Sequence, residues 1–219
     1  MAQSQTDQAL TRLRAMVFTG ELAPGSNHYE ADLADQLGMS RTPVREAALT
    51  MQAQGLVEVQ PRRGVHIRPI SAEDMAEIYD VLCELESLAA ARAAEQGYSK
   101  EDLRTAQACI DDMDAALSRQ DRNAWASADD RFHTELVRLG GNARVAEVVA
   151  RYTDQVRRAR MMTLPLRPLP VQSNEDHRAV LHAIESGDAE RARSLHRTHR
   201  QEARALLTGL IREFGLRRL

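Results

Sequence analysis

Aromatic side chains form only 4% of this 219-residue chain, and cysteine occurs twice. So few rings give no stacking platform of the kind that readers of single-stranded RNA use, and they leave core-building to leucine, alanine and valine, the residues of packed helices. Cys83 and Cys109 lie far apart and match neither a redox nor a zinc-binding spacing, so both are expected as reduced thiols in a core or on a helix face. No apolar run approaches the ~20 residues that cross a bilayer, and the polar start Met1–Gln8 lacks the charged-then-apolar pattern of a secretory leader. A soluble, cytoplasmic protein with no membrane contact is the expectation. Low-complexity segments and strict internal repeats are missing too. At net charge −3 and pI near 6.2, the chain has no overall positive field that would hold nucleic acid regardless of sequence.

What is present is concentrated in Leu37-Gly38-Met39-Ser40-Arg41-Thr42-Pro43-Val44-Arg45-Glu46-Ala47. Ser40 or Thr42 can cap a helix, and Pro43 falls in its first turn, where the missing N–H costs nothing. At about 100° per residue, Val44, Ala47, Ala48 and Met51 share one arc, while Arg41, Thr42 and Arg45 lie on another. The first arc packs and the second faces out; Leu49 is the misfit, on the arginine side. Upstream, Glu30–Leu37 sets Leu33 and Leu37 four apart on a short helix that Gly38 can end in a left-handed conformation. Helix, glycine turn, helix is the unit. Two alternating runs follow, Gly55–Gln60 and Val65–Arg68, around the turn Pro61-Arg62-Arg63-Gly64, and read as a β-hairpin. A helix-turn-helix followed by a basic hairpin is a winged helix, able to place a helix in the major groove and the hairpin tip on backbone or minor groove. Charge agrees only locally. Residues 1–70 are balanced, whereas residues 40–68 hold five arginines against Glu46 and Glu58. The footprint is a patch.

The strings LGMSRTPVREA, QGLVEV and RRGVHI, with Phe18–Gly25 before them, resemble the DNA-binding domain of GntR-type bacterial transcription regulators over roughly residues 8–68. The resemblance implies that Arg41, Thr42 and Arg45 are recognition-helix residues and Gly64 the wing tip. Arg41 or Arg45 would then read guanine O6 and N7, while Thr42, Arg62 and Arg63 hold phosphates. Ala31 stands where some relatives carry a basic residue that reaches DNA, so fewer contacts are expected from that helix.

After Arg68-Pro69-Ile70-Ser71, a linker because proline keeps its predecessor extended, the character changes to long helical patterns. Helices are predicted over residues 72–96, 100–119, 122–139, 142–162, 173–186 and 188–214, with Ser71, Ser99 and Ser173 as caps and Gly97, Gly140-Gly141 and Gly187 as punctuation. The segment 163–170, with three prolines, cannot continue a helix and reads as a stiff loop. The expected fold is therefore mainly α: a winged helix-turn-helix with a small β-hairpin over residues 1–70, plus an all-α bundle over residues 71–219.

Asp129 and His133 lie four apart, so both project from one helix face and can grip one ion. His177 and His199 would come from two further helices. Taken blindly, seven histidines mostly decorate surfaces. However, DDRFHTEL followed by DHRAVLHAIESGDAERARSLHRTH resembles the all-helical FCD domain of the FadR subfamily, over roughly residues 72–215. That resemblance implies a divalent metal held by Asp129, His133, His177 and His199 inside the bundle. Zinc is favoured, and nickel, manganese or iron suit the same ligands. Asp130, Asp176, His182 and His196 are the decoys; His182 falls about 140° round the helix from His177, and His196 is the more credible substitute.

The resemblance further implies a small-molecule effector, an organic acid whose carboxylate completes the metal's coordination. Leu82 departs from the pattern, occupying a position where relatives often carry an arginine for that anion. Tyr152, Arg158 and Arg160 are candidates to supply the missing charge, and the proline loop with Met161 and Met162 either closes the pocket or merely joins two helices. The implied whole is a homodimer on a roughly palindromic double-stranded operator, acting as a repressor relieved by its effector and not as an enzyme. Two other readings stay open: a metal-dependent enzyme with a DNA-binding head, since an ion with open positions activates water, and a direct sensor of the metal.

Overall fold

The computed structural model describes residues 4–214. Its first third is a small helical head. Helix α1 (Gln5–Thr19) is capped by Ser4, whose hydroxyl accepts the Asp7 N–H, and ends at Gly20. Helices α2 (Glu30–Leu37) and α3 (Arg41–Ala53) are joined by Gly38 at φ 64°, the left-handed turn expected there. Ser40 is the N-cap residue of α3 by backbone conformation, and its side chain makes no capping bond. Leu13, Leu33, Val44, Ala47, Met51 and Ile67 are buried in one core, each large aliphatic contributing about 1.5–3 kcal/mol relative to exposure.

The hairpin is β2 (Val57–Gln60) and β3 (Gly64–Ile67), antiparallel with Val57 opposite Ile67 and Gln60 opposite Gly64. A third strand, β1 (Asn27–His28), pairs with the outer side of β3 and gives the order β1-β3-β2. Two residues carry too short an alternation to be read as a strand. They matter all the same, because the His28 carbonyl oxygen lies 2.2 Å from where a Cβ on Gly64 would be, and Gly64 has φ 84°. Only glycine fits there.

The remainder is the bundle: α4 (Ala72–Glu95), α5 (Arg104–Ser118), α6 (Arg122–Leu139), α7 (Ala143–Thr163), a 3₁₀ turn at Leu164–Leu166, α8 (Val171–Glu185) and α9 (Ala189–Glu213). Ser71 caps α4 through the Asp74 N–H, as expected. Helix α5 starts later than its predicted onset at residue 100. Ser99 and Asp102 bond each other reciprocally and close a separate turn first, with Leu103 buried behind it. Helix α8 begins at Val171 straight after Pro170, so Ser173 sits inside its first turn and not at the cap. Helices α4 and α9 run along each other over the longest shared interface, with α7 beside α4. Tyr79, Leu82, Val156, Leu207 and Ile211 fill the core there, while Ile110, Met113, Phe132, Leu136 and Ile184 fill a second core among α5, α6 and α8.

Candidate nucleic-acid interface and metal centre

On the head, Arg41, Thr42 and Arg45 are exposed at the start of α3, and the opposite arc of Val44, Ala47, Ala48 and Met51 is buried. Arg62 and Arg63 are exposed at the hairpin tip, with Arg62 itself at φ 64°. One concave face is lined by Arg41, Arg45, Leu49, Arg62 and Gly64. The structure thus brings four of the six predicted contact residues, Arg41, Arg45, Arg62 and Gly64, onto one concave face, while Thr42 and Arg63 are exposed next to Arg41 and Arg62 in the chain. Leu49 is 45% exposed on the same side, while the last turn of α3 meets the hairpin through Gln52, which accepts the Val59 N–H. Glu30 of α2 sits 3.9 Å from the Arg45 guanidinium and lines the same face.

In the bundle, α6 presents Asp129 and His133 together, α8 presents His177 and α9 presents His199, all four buried. One nitrogen each of His133, His177 and His199 lie within 4.8 Å of one another. The Asp129 carboxylate faces the same point, with Oδ2 3.7 Å from His133 Nε2 and Oδ1 3.5 Å from His177 Nε2. Burial, reinforced by neighbouring His199, pushes the His177 pKa down to about 3. Burial and then the Arg200 charge hold His133 well below its ordinary value. Both rings are therefore neutral near pH 7, the state that binds metal. Burial alone would raise Asp129, but the Arg160 guanidinium against it outweighs burial and holds the carboxylate well below its usual range.

The outer contacts set which nitrogens face inward. His133 Nδ1 is 3.2 Å from Glu86 Oε2, and His199 Nδ1 is 3.2 Å from Asp176 Oδ2. A carboxylate accepts, so each Nδ1 donates and each Nε2 keeps its lone pair for an ion, the arrangement found around metal-bound imidazoles. Asp176 is thus a partner of His199 and not a ligand. His196 is buried behind His133, its Nε2 3.5 Å from both His133 Nδ1 and Glu86 Oε2, away from Asp129 and His177. Glu86, His133 and His196 form a second close trio, but Arg200 already holds Glu86 through two hydrogen bonds of 2.7 and 2.6 Å. His182 is exposed.

The three candidate anion contacts do not share a site. Arg160 reaches the centre: one Nη is 2.5 Å from Asp129 Oδ2 and the other 2.9 Å from Asp130 Oδ1. Tyr152 and Arg158 instead border a separate cavity between bundle and head. Beside Asp129, His133 and His199 lies a cavity of about 310 Å³, walled by Trp125, Tyr79, Arg200 and the proline loop from Leu164 to Pro170. That loop is tied down by Arg122, which donates to the carbonyls of Arg167 and Pro168. Arg167 lines the cavity; its Nε donates to Thr163 and one Nη is buried with no partner among the described residues. Met161 and Met162 pack against the two bundle cores and do not line it.

Glu86, Arg200 and Arg167 were not singled out from the sequence. For Glu86 a signal existed: it falls on the buried stripe Tyr79, Leu82, Cys83, Glu86, Ala90 of α4, where a charge must be paired. Arg200 follows His199 on the matching stripe of α9. Arg167 lies in a loop, where no periodicity marks a buried side.

One helix connects the two faces. From α7, Arg160 grips Asp129 and Asp130, Arg157 pairs with Asp130 at 3.3 Å and stands 5.6 Å over the Phe18 ring of α1, and Asp154 pairs with Arg14 of α1 at 2.8 Å. Gln155 donates to the Gln54 carbonyl at the end of α3.

A winged helix-turn-helix head set on a helical bundle with a buried histidine–carboxylate cluster is the build of a transcriptional regulator. The model of the bacterial regulatory proteins of the gntR family matches residues 5–67, and the FCD domain model matches residues 77–202. An HTH-type transcriptional regulator of Agrobacterium vitis is 41% identical over 57% of this chain and 74% of its own length. The "Probable D-xylose utilization operon transcriptional repressor" of Paenarthrobacter nicotinovorans is 32% identical over 80% of this chain and 76% of its own length. The solved structure of E. coli McbR/YncC superposes with a TM-score of 0.80 at 23% identity, covering 94% of this chain and 98% of that one. The chain belongs to the GntR family, with an FCD C-terminal domain, and is a DNA-binding transcriptional regulator of that type.

Proposed function

We propose that the chain is a cytoplasmic, homodimeric repressor whose DNA affinity is set by a divalent metal and an organic-acid effector in the bundle. Residues 1–70 form the DNA-binding domain and residues 71–219 the metal-, effector- and dimer-forming domain. Arg41 or Arg45 reads a base edge; Thr42, Arg62 and Arg63 hold phosphates around Gly64. Asp129, His133, His177 and His199 hold the ion, zinc before nickel, manganese or iron. The residues fit such a group: four donors converge, two rings are neutral, and Glu86 and Asp176 orient the outer nitrogens. Bound there, the ion supplies a Lewis-acidic point for an effector carboxylate. Arg167, unpartnered at one Nη and lowered by burial to about 10, is the side chain left to grip the acid, in place of the charge missing at Leu82. The relative named as a repressor supports the sign.

The observation that carries this reading is α7, whose Arg160 holds the ligand carboxylate of Asp129 while Arg157, Asp154 and Gln155 hold the head. An ion that competes for Asp129 changes what Arg160 holds, and the strip transmits that to α1 and α3. A ligand can shift DNA affinity only by binding the two arrangements unequally. The test starts from duplexes selected out of a random pool by the full-length protein. Their affinity is then measured by anisotropy with and without zinc and a panel of small organic acids. Metal plus acid should change affinity by roughly 5–150-fold. Failure to select any duplex overturns the DNA assignment; a response to zinc alone and to no acid makes the protein a metal sensor.

A further inference from the structure

Among the described residues, three arginines are buried in the bundle: Arg158, Arg160 and Arg200. Arg160 and Arg200 each hold carboxylates, and those neighbours raise their pKa against the effect of burial. Arg158 has no such partner. It is 2% exposed, one Nη donates to the Arg68 carbonyl at 2.5 Å, and its Nε and other Nη have no hydrogen-bond partner among the described residues. Burial is the sole influence on its pKa, pushing it down to about 10. A buried guanidinium with two unused donor nitrogens and no counter-ion carries a desolvation cost that nothing among the described residues repays.

Arg158 lies in the wall of a cavity of about 540 Å³ where the head meets the bundle. The head contributes Gln52 from the end of α3, Gly55 just after it, and Arg68 from the linker; the bundle contributes Arg151, Tyr152 and Arg158 from α7. Arg68 and Arg151 are exposed and likewise have no ion-pair partner among the described residues, while Asp74 and Glu77 stand exposed on the α4 rim. Gln52 accepts the Val59 N–H through Oε1, which leaves its amide N–H groups as donors. Donors therefore outnumber acceptors around a space that both domains enclose.

We propose that this junction is a second ligand site, distinct from the bundle centre, for a small oxyanion gripped by Arg158 with Arg68 and Arg151. The planar fork of a guanidinium matches the paired oxygens of a phosphate or a carboxylate. Because the walls come from both domains, an occupant would also fix the head against α7. The site stands whether or not the bundle holds a metal.

The test uses the full-length protein in phosphate-free buffer, titrated with sodium phosphate or sodium succinate at ionic strength matched with chloride. Thermal unfolding and calorimetry are read together. The wild type should show a saturable rise in Tm with at least one of the two anions, and the one that binds names the ligand class. Arg158→Met should lose the saturable response while its anion-free Tm stays equal or rises. Arg151→Gln, an exposed position, should bind several-fold more weakly. His177→Ala should respond as the wild type does, which separates this site from the bundle centre. A wild-type response no larger than that to chloride, an unchanged response in Arg158→Met, or loss of response in His177→Ala overturns the proposal. If Arg158→Met does not fold, unchanged affinity in Arg151→Gln overturns it instead.

Discussion

The Glu86 carboxylate stands 3.2 Å from Nδ1 of His133 and is held there by two hydrogen bonds from Arg200, so a carboxylate on α4, two helices before His133 in the chain, decides which nitrogen of His133 faces Asp129. The pair contributes no ligand atom, yet it fixes the ring's tautomer. Glu86→Gln keeps the shape but can present an amide N–H to Nδ1, which favours the other tautomer. Zinc affinity should fall roughly 10–100-fold, the usual size of such outer contacts, with one ion still bound per chain. Stoichiometry and affinity from competition with a chromophoric chelator check this. Affinity equal to the wild type's would remove Glu86 from the centre.

His196 and His199 lie three residues apart on α9 and give opposite expectations. His199 shares the convergence point with His133 and His177, whereas His196 lies behind His133 against Glu86 and Ser87. His199→Ala should therefore lower bound metal far below one ion per chain, and His196→Ala should leave one ion bound at reduced affinity. Elemental analysis of the two purified variants decides. A metal-free His196→Ala beside a fully loaded His199→Ala would exchange their roles.

Much of this arrangement was legible because helices are periodic. Boundaries of α2, α4, α6 and α7 follow directly from caps, glycines and apolar spacing, and Asp129 and His133 share a face by their spacing of four. Sequence alone could not show that Tyr152 and Arg158 point to the head while Arg160 points to the metal centre. All three lie on one helix, and which side meets which domain depends on how α7 is rotated by its neighbours. Strand β1 escaped notice for a different reason: two residues pair through backbone alone, and no side-chain pattern records it.

The wing depends on one glycine. A Cβ at Gly64 would lie 2.2 Å from the His28 carbonyl oxygen and 3.0 Å from Tyr29 Cα, and φ 84° is strained for any other residue. Both obstacles are backbone, so no side chain can swing aside. Gly64→Ala should destabilise the head by about 1–3 kcal/mol through that strained backbone and displace β1 or the tip carrying Arg62 and Arg63. Thermal unfolding together with DNA affinity checks it, and a variant matching the wild type in both would show that the tip can relax.

Arg45 is exposed on the reading face with Glu30 3.9 Å away. Its loss removes no core contact, so folding should be unaffected. If Arg45 reads a base edge, Arg45→Ala weakens binding to a selected duplex by roughly 1–3 kcal/mol and relaxes preference at one position. A uniform loss across all duplexes, with a shallower salt dependence, would assign it to a phosphate instead.

Arg157 offers the sharpest test of communication between centre and head. It is about half exposed, touches no metal-binding residue, and links Asp130 at 3.3 Å to the Phe18 ring at 5.6 Å. Asp130 in turn shares the Arg160 guanidinium with Asp129. Removing Arg157 cuts the strip between Asp130 and α1 while leaving both ends intact. Arg157→Ala should therefore keep the wild-type metal stoichiometry and still bind a selected duplex. The ratio of DNA affinities with and without zinc should move toward one. Linkage is reciprocal, so the effect of DNA on zinc affinity must shrink by the same factor. Measuring both sides of the cycle separates lost coupling from a merely weakened head, which would lower DNA affinity equally in the metal-bound and metal-free protein. An unchanged ratio would mean that Asp154 and Gln155 carry the coupling without Arg157.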